Sequence, residues 1–512
     1  MKFTPRRAGG ALILIIIAGV CAWIGAGFSS HRAAVLRYKK QLSSSGEKLL
    51  IDELVPKAVP SDQNNAALFR KAFATFATLS SSTGGTSLET NPPPAMRMVA
   101  PGKAMIGWQR PDIRDEATNS WDDVAAELED NNDVLLTLAQ TVDKPVLDFG
   151  LNYHQGFALL LPHLVQLKKT AILLKSAAVY DLHVRKPDLA ISRIRIILAL
   201  VKSDEEPLLI SQLVRIADVH IALETTWELL QAPGLTDAQL APLQRNWEQL
   251  DLLPGAERAV AMERAMVEEE ADRMRKSSAS YKKMTGLSVS RASAGNWLEQ
   301  AGHEVIAKAH ESAWRYGWSY PDELRSLKGH QAVLEALRSV RSGKSYGEAL
   351  AMEDLVIARA GIHQKTNDNY DFLIGSLDPR TLLSQSVLSE QKFPVRLLRM
   401  EAGRRLVITA IALERFKLAH GEHPESLSAL VPRYLNAVPL DPVDNQPLRY
   451  HRLPEPNFLL YSIGTDRVDD GGDSTPPPGS KGFPWLTTKD QVWPGPASDQ
   501  EIEAFLKTRA RH

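Results

Sequence analysis

The sequence has too few cysteines for a disulfide bond and no excess of charge of either sign. Its single cysteine, Cys21, lies in an apolar run near the N-terminus, so no disulfide can form within the chain. That absence is compatible with either side of a bacterial membrane. Lysine and arginine number 60 against 61 acidic residues, which gives a net charge of -1. Nucleic-acid-binding proteins normally carry a basic excess or a basic face, so the sequence predicts no nucleic-acid partner.

Short motifs with well-understood chemistry are also missing. The sequence contains no G-x-S-x-G motif, no Walker A loop, and no G-x-G-x-x-G between a predicted strand and a predicted helix. We therefore predict no catalytic residue and no organic cofactor. Catalytic side chains can also come from distant parts of a sequence. A hydrolase whose site forms between distant segments therefore stays open as an alternative.

An uncharged apolar run stands near the N-terminus. It covers residues 9–28, GGALILIIIAGVCAWIGAGF, and a hydrocarbon core of roughly 30 Å needs about 20 such residues. Lys2, Arg6 and Arg7 precede it, which favours a cytoplasmic N-terminus. The run predicts a single-pass anchor in a bacterial inner membrane, with the rest of the chain on the periplasmic side. A cleavable signal peptide is the alternative, although its apolar region is normally only about 7–15 residues long.

Helical periodicity dominates the middle of the chain. Apolar residues at Phe157, Leu160, Leu164 and Leu167 begin one such stripe, and proline-marked turns separate successive segments. This pattern predicts antiparallel helical hairpins stacked as an irregular solenoid or a bundle. Bodies of this kind offer extended surfaces, so a protein partner on the helical body is predicted.

A second kind of pattern fills residues 399–473. This region opens with the apolar helical run RMEAGRRLVITAIALERFKLAHG, continues through three proline-marked turns and closes with LLYSIGTDRVDDGGD. In these pieces it resembles the globular head of the major pseudopilins of type II secretion systems. The resemblance implies a small α+β head with an acidic loop. The chain departs from that family at its start, MKFTPRRAGGALILIII, which has no prepilin cleavage motif.

The acidic loop of this region is a candidate metal site. Four aspartates fall close together beside two glycines: Asp466, Asp469, Asp470 and Asp473. Calcium takes about six to eight oxygen ligands from carboxylates and main-chain carbonyls in flexible loops. The resemblance implies a structural calcium here, with main-chain oxygens from Leu460 and Ser462 by position. Which aspartates coordinate stays open, and the alternative is a solvated acidic turn without an ion.

These observations give a mainly α fold: an N-terminal transmembrane helix, a body of helical hairpins similar to a solenoid, and a small C-terminal α+β head that resembles a pseudopilin. The predicted function is a non-enzymatic, membrane-anchored envelope protein with a binding or scaffold body and a calcium-stabilised head, associated with secretion or surface assembly. Alternatives are an envelope hydrolase with a site between body and head, and a head that only caps the body. The predicted regions are a cytoplasmic stub and anchor (1–30), a helix and linker region (31–120), an all-α helical body (121–390), the head (391–474) and a Pro/Trp-rich tail (475–512).

Overall fold

The structure, a computed structural model, is mainly helical. It describes residues 27–82, 93–110, 120–143, 146–285, 297–362, 378, 380–390, 392–454, 457–480 and 484–509. The first helices are α1 (27–44), α2 (Ile51–Leu54), α3 (Ala66–Ser82), α4 (Trp121–Asp130), α5 (Asn132–Ala139), α6 (Pro162–His183), α7 (Pro187–Ser203) and α8 (Leu209–Leu230). The later helices are α9 (Asp237–Glu248), α10 (Leu253–Lys276), α11 (Ser278–Thr285), α12 (Trp297–Ala313), α13 (Ser319–Arg341), α14 (Tyr346–Arg359), α15 (Gln385–Glu390), α16 (Lys392–His420) and α17 (Asp499–Arg509).

The predicted fold class included a transmembrane helix over residues 9–28, and this part of the prediction is corrected. Residues 9–26 lie outside the part of the chain that the structure describes. No helix in the described part is long and apolar enough to cross a membrane. In α1, for example, Arg32, Arg37, Lys39 and Lys40 follow one another closely, and such charges are costly in hydrocarbon. The fold class that the structure supports is mainly helical with small sheets.

Local sequence signals explain where many helices begin. Ser120 caps α4, because its hydroxyl accepts the Asp123 main-chain N–H while the Asp123 carboxylate accepts the Ser120 N–H. Pro187 occupies the first turn of α7, where a missing N–H costs little. The predicted apolar stripe is wrong at its first two positions. Phe157 and Leu160 precede α6, which begins at Pro162, and they are 44% and 81% exposed.

The helices form a bundle, one of the two arrangements that the periodicity predicted. Helices α6, α7 and α8 pack against one another, α8 also contacts α10, and α10 contacts α13. Helix α16, which is distant in sequence, packs against both α8 and α9. A purely linear solenoid places only neighbouring units in contact. The packing of α16 on α8 therefore identifies the arrangement as a bundle.

The described residues also form two small three-stranded sheets. The first contains β1 (Arg97–Ala100), β2 (Lys103–Met105) and β6 (Gly495–Pro496), with β1 antiparallel and β6 parallel to β2. The second is antiparallel and contains β3 (Arg449–Arg452), β4 (Phe458–Ser462) and β5 (Gln491–Val492). Residues 484–509 therefore supply one strand to each sheet.

One large apolar core runs through the bundle and into the C-terminal region, residues 392–509. It includes Leu223 and Trp227 of α8, Leu406 and Val407 of α16, and Trp493 after β5. Trp227 is fully buried, and its indole N–H donates to the main-chain carbonyl of Pro494 at 2.8 Å. Packing among the described residues is thus continuous across residue 390, where the sequence suggested a boundary between body and head.

Candidate functional site

The four aspartates predicted to bind calcium lie in the loop after β4. The Asp469 carboxylate accepts hydrogen bonds from the Tyr461 hydroxyl at 3.0 Å and from the Gly471 N–H at 3.1 Å. Asp466, which is exposed, accepts the Val468 N–H at 3.2 Å. The contacts with the Gly471 and Val468 N–H groups are the side-chain turns expected of aspartates in a loop.

Cationic side chains also hold this loop. Lys489 Nζ lies 3.0 Å from Asp473 Oδ2 and 3.9 Å from Asp470 Oδ1. Hydrogen bonds from Thr475 and Lys489 lower the pKa of Asp473 to about 2. Asp473 is thus ionised at neutral pH and is compensated by a lysine of the chain itself.

The two predicted main-chain ligands lie in β4. The Leu460 carbonyl accepts the Trp493 N–H at 2.8 Å, and the Ser462 hydroxyl donates to Asp441 Oδ1 at 2.8 Å. Within the described ranges, no three side chains of Asp, Glu, His or Cys are placed to share a metal ion. Calcium binding at this loop stays a prediction of the sequence.

A buried carboxylate that the sequence analysis missed organises this region. Asp441 is fully buried, and its Oδ1 accepts the Val443 N–H at 3.0 Å in addition to the Ser462 hydroxyl. Its Oδ2 accepts the Ile463 N–H at 2.9 Å and Arg449 Nη1 at 3.0 Å. Asp441 therefore joins residues 441–449 to the end of β4. The Asp-Pro turn that contains it was the available signal, but its partners are distant in sequence.

A candidate ligand site is a cavity of about 560 Å³ between the bundle and the C-terminal region. Helix α8 forms one wall, α16 a second, residues 96–98 around the start of β1 a third, and residues 484–487 a fourth. The residues that line it are Met96, Arg97, Met98, Leu213, Ile216, Ala217, His220, Glu224, Arg396, Arg399, Met400, Pro484, Trp485, Leu486 and Thr487.

Helical spacing explains why these side chains converge. Leu213, Ile216, Ala217 and His220 stand three, four and seven positions apart on α8, so they share one face of that helix. Arginines 396 and 399 on α16 are likewise one turn apart. Most of the lining is apolar, and the polar groups are few, which is the usual composition of a ligand pocket.

Positive charge exceeds negative charge in the lining. Three arginines, Arg97, Arg396 and Arg399, face one glutamate, Glu224, which leaves an excess of two positive charges. Arg399 Nε is buried without a hydrogen-bond partner. Burial, and then the nearby charge of Arg396, lower the pKa of Arg399. The cavity is therefore an electropositive, partly desolvated environment.

The glutamate of the lining is already compensated. Glu224 Oε2 accepts a hydrogen bond from Lys175 Nζ at 2.6 Å, and its Oε1 lies 3.2 Å from His220 Nε2. Burial acts to raise the pKa of Glu224, but Lys175 and His220 outweigh it and lower the pKa to about 2. Glu224 therefore stays ionised and does not neutralise the two arginines of α16.

The lining offers an acid–base pair but no activated nucleophile. Among the described residues, no hydrogen bond joins His220 to a serine, threonine or cysteine side chain, although Thr487 lines the same cavity. Nucleophilic hydrolysis needs such a contact between nucleophile and base. The arrangement suits binding of a molecule with an apolar part and an anionic group.

Sequence reasoning did not find this cavity, because four separate segments build it and none carries a motif. Comparison of the chain with protein-family models, with curated proteins and with solved structures found no match. The resemblance of residues 399–473 to pseudopilin heads therefore stays a prediction, and the function has to follow from the residues themselves.

Proposed function

We propose that this protein is a non-enzymatic binding protein that holds a partly apolar ligand in the cavity between α8, α16, residues 96–98 and residues 484–487. The observation that carries the proposal is the cavity itself, at about 560 Å³. Small-molecule sites commonly have volumes of roughly 300–1,000 Å³ and mostly apolar walls with a few polar groups. This cavity agrees in size and in composition.

The C-terminal region has a direct part in this function. Helix α16 and residues 484–487 contribute two of the four walls, including Met400, Trp485 and Leu486. The sequence predicted a binding or scaffold role for the helical body and, as one alternative, a role for the head only as a cap; in this proposal the C-terminal region also helps to form the ligand site. Its predicted association with secretion or surface assembly rests on the resemblance alone.

A hydrolase with its site between bundle and C-terminal region is the alternative that the sequence left open. The cavity lies at that place, and His220 with Glu224 supplies an acid–base pair. The pKa of Glu224 is lowered, whereas a general acid or base works best with a pKa near the operating pH. Binding therefore has the stronger support.

The test is a titration of the full chain with Nile red, a neutral apolar dye whose emission rises in an apolar site. We expect saturable binding to the wild-type protein and its loss in Ala217→Trp, which fills the cavity from α8. Leu486→Trp fills the same cavity from residues 484–487. The test therefore needs only one of the two variants to fold. The matched control is Ala351→Trp on α14, where the alanine is exposed and does not line the cavity.

Circular dichroism establishes that each variant is folded before its dye binding is compared. Absence of saturable dye binding to the wild-type protein contradicts the proposal. So does a folded Ala217→Trp or Leu486→Trp variant that binds the dye as tightly as Ala351→Trp does.

A further inference from the structure

The arginines of α16 fall into two groups. Those after residue 400 are each paired with a carboxylate: Arg404 and Arg405 with Glu401, and Arg415 with Asp237. Arg396 and Arg399 line the cavity, and no carboxylate among the described residues pairs with either of them. Among the arginines of this helix, the two without a carboxylate partner in the described part of the chain are thus the two that line the cavity.

The two unpaired arginines are well placed to act together. They are three positions apart on one helix, a spacing that brings side chains onto the same face. Arginine presents several N–H donors in a planar fork that matches the geometry of carboxylate and phosphate groups. Arg396 is exposed and Arg399 is half-buried, so one guanidinium reaches solvent while the other lies deeper.

The carboxylate of the lining has partners other than these two arginines. Glu224 is held by Lys175 and lies beside His220 on α8. Its negative charge disfavours an anionic group at the α8 wall and favours one at the α16 wall. Leu213, Ile216 and Trp485 of the same lining offer an apolar surface for the rest of a ligand.

We infer that the ligand of this cavity is an amphipathic anion, in which a carboxylate or phosphate head binds Arg396 and Arg399 and an apolar tail lies against α8 and residues 484–487. This inference rests on the proposed function, since it names the chemical class of the molecule that the cavity holds. Burial of the tail supplies affinity in proportion to apolar area. The charge-assisted hydrogen bonds of the head select an anion over a neutral molecule of the same length.

The experiment compares dodecanoate and dodecyl phosphate with dodecanol, acetate and inorganic phosphate by isothermal titration calorimetry on the full chain. We expect both long-chain anions to bind at least roughly tenfold more tightly than dodecanol, because hydrogen bonds to charged groups contribute more than neutral ones. Acetate and inorganic phosphate, which lack the tail, are expected to bind far more weakly. A preference for one long-chain anion over the other identifies the head group.

Arg396→Gln and Arg399→Gln test the assignment of the head site. Each variant is expected to weaken dodecanoate binding roughly tenfold and to leave dodecanol binding unchanged. A merely structural role of either arginine predicts an equal loss for both ligands. Arg399→Lys retains a charge and is expected to recover part of the preference. The matched control is Arg359→Gln, an exposed arginine of α14 that does not line the cavity.

The outcomes separate this inference from the proposed function. Equal affinities for dodecanoate and dodecanol, unchanged in the arginine variants, overturn the inference and leave a cavity that binds neutral apolar molecules. Acetate or phosphate affinities equal to that of dodecanoate also overturn it, because a simple anion site then accounts for the arginines. Failure of every long-chain probe and of Nile red to bind overturns both proposals.

Discussion

Replacement of Asp441 by alanine is the sharpest test of how the C-terminal region is held together. The carboxylate is fully buried and accepts four hydrogen bonds from groups on two separate segments. In Asp441→Ala, the Ser462 hydroxyl can rotate to another acceptor, and Arg449 keeps its ion pair with Asp444 at 2.6 Å. The main-chain N–H groups of Val443 and Ile463 have no such freedom.

The magnitude follows from those two groups. A buried donor left without a partner costs about 1–3 kcal/mol, so two cost about 2–6 kcal/mol. Burial also raises the pKa of Asp441, which means that the wild-type carboxylate itself carries a desolvation penalty that the alanine removes. We therefore expect a loss in the lower half of that range, about 3 kcal/mol of unfolding free energy.

The assay is urea unfolding of the full chain, followed by tryptophan fluorescence and by far-ultraviolet circular dichroism. Trp485 and Trp493, two of the ten tryptophans of the chain, are buried near β5, so part of the fluorescence change reports on this region. Asp466→Ala is the matched control, because Asp466 is exposed and accepts the Val468 N–H. We expect that control to lose no more than about 1 kcal/mol. Equal losses in the two variants would refute the view that Asp441 joins the two segments.

Three further predictions address pH, packing and metal. Burial raises the pKa of Glu228 to about 8, so the folded state keeps a proton that the unfolded state releases at lower pH. The stability that this proton contributes is fully present below the unfolded pKa and is lost as pH rises through about 8. Between about pH 5 and about pH 8, the unfolding free energy of Glu228→Gln should therefore fall less steeply than that of the wild type, by up to about 1.4 kcal/mol per pH unit. Identical pH dependence of the two proteins in urea unfolding would contradict this. A Cβ at Gly347 would lie 2.5 Å from the Val443 carbonyl oxygen, so Gly347→Ala should lower the free energy of unfolding by about 1–3 kcal/mol. Gly317 has open space around it, so Gly317→Ala should lower it little in the same assay. If the predicted calcium site exists, the thermal unfolding midpoint should rise with calcium over chelator and Asp470→Ala should remove the rise; no shift at millimolar calcium argues against the site.

Local signals in the sequence were sufficient for most of the helical architecture. Pro187 and the capping residue Ser120 act on their own helices, and such effects depend only on neighbours along the chain. The predicted apolar stripe was wrong at Phe157 and Leu160, which lie before α6. Apolar spacing alone does not reveal that the chain turns before Pro162, and the exposed Leu160 continues the pattern by coincidence.

The candidate site lay beyond such local reasoning. The cavity needs the face of α8, two arginines of α16 and Trp485 together, and no periodicity predicts which faces of distant segments meet. The acidic loop drew attention because its aspartates are adjacent in sequence. Asp441, which has more partners than any of them, stood alone in a proline turn.

The strands supplied by residues 484–509 have a consequence for biosynthesis. These residues are translated after the helices of the bundle, yet β5 and β6 complete the two sheets and Trp485 lines the cavity. While the ribosome still holds this segment, Trp227 lacks its partner at Pro494 and the apolar face of α8 lacks part of its cover. Exposed apolar surface on an unfinished chain favours aggregation. The core among the described residues is therefore complete only after residues 484–509 have left the ribosome, and a chain truncated after residue 483 should depend on chaperones and lose the cavity.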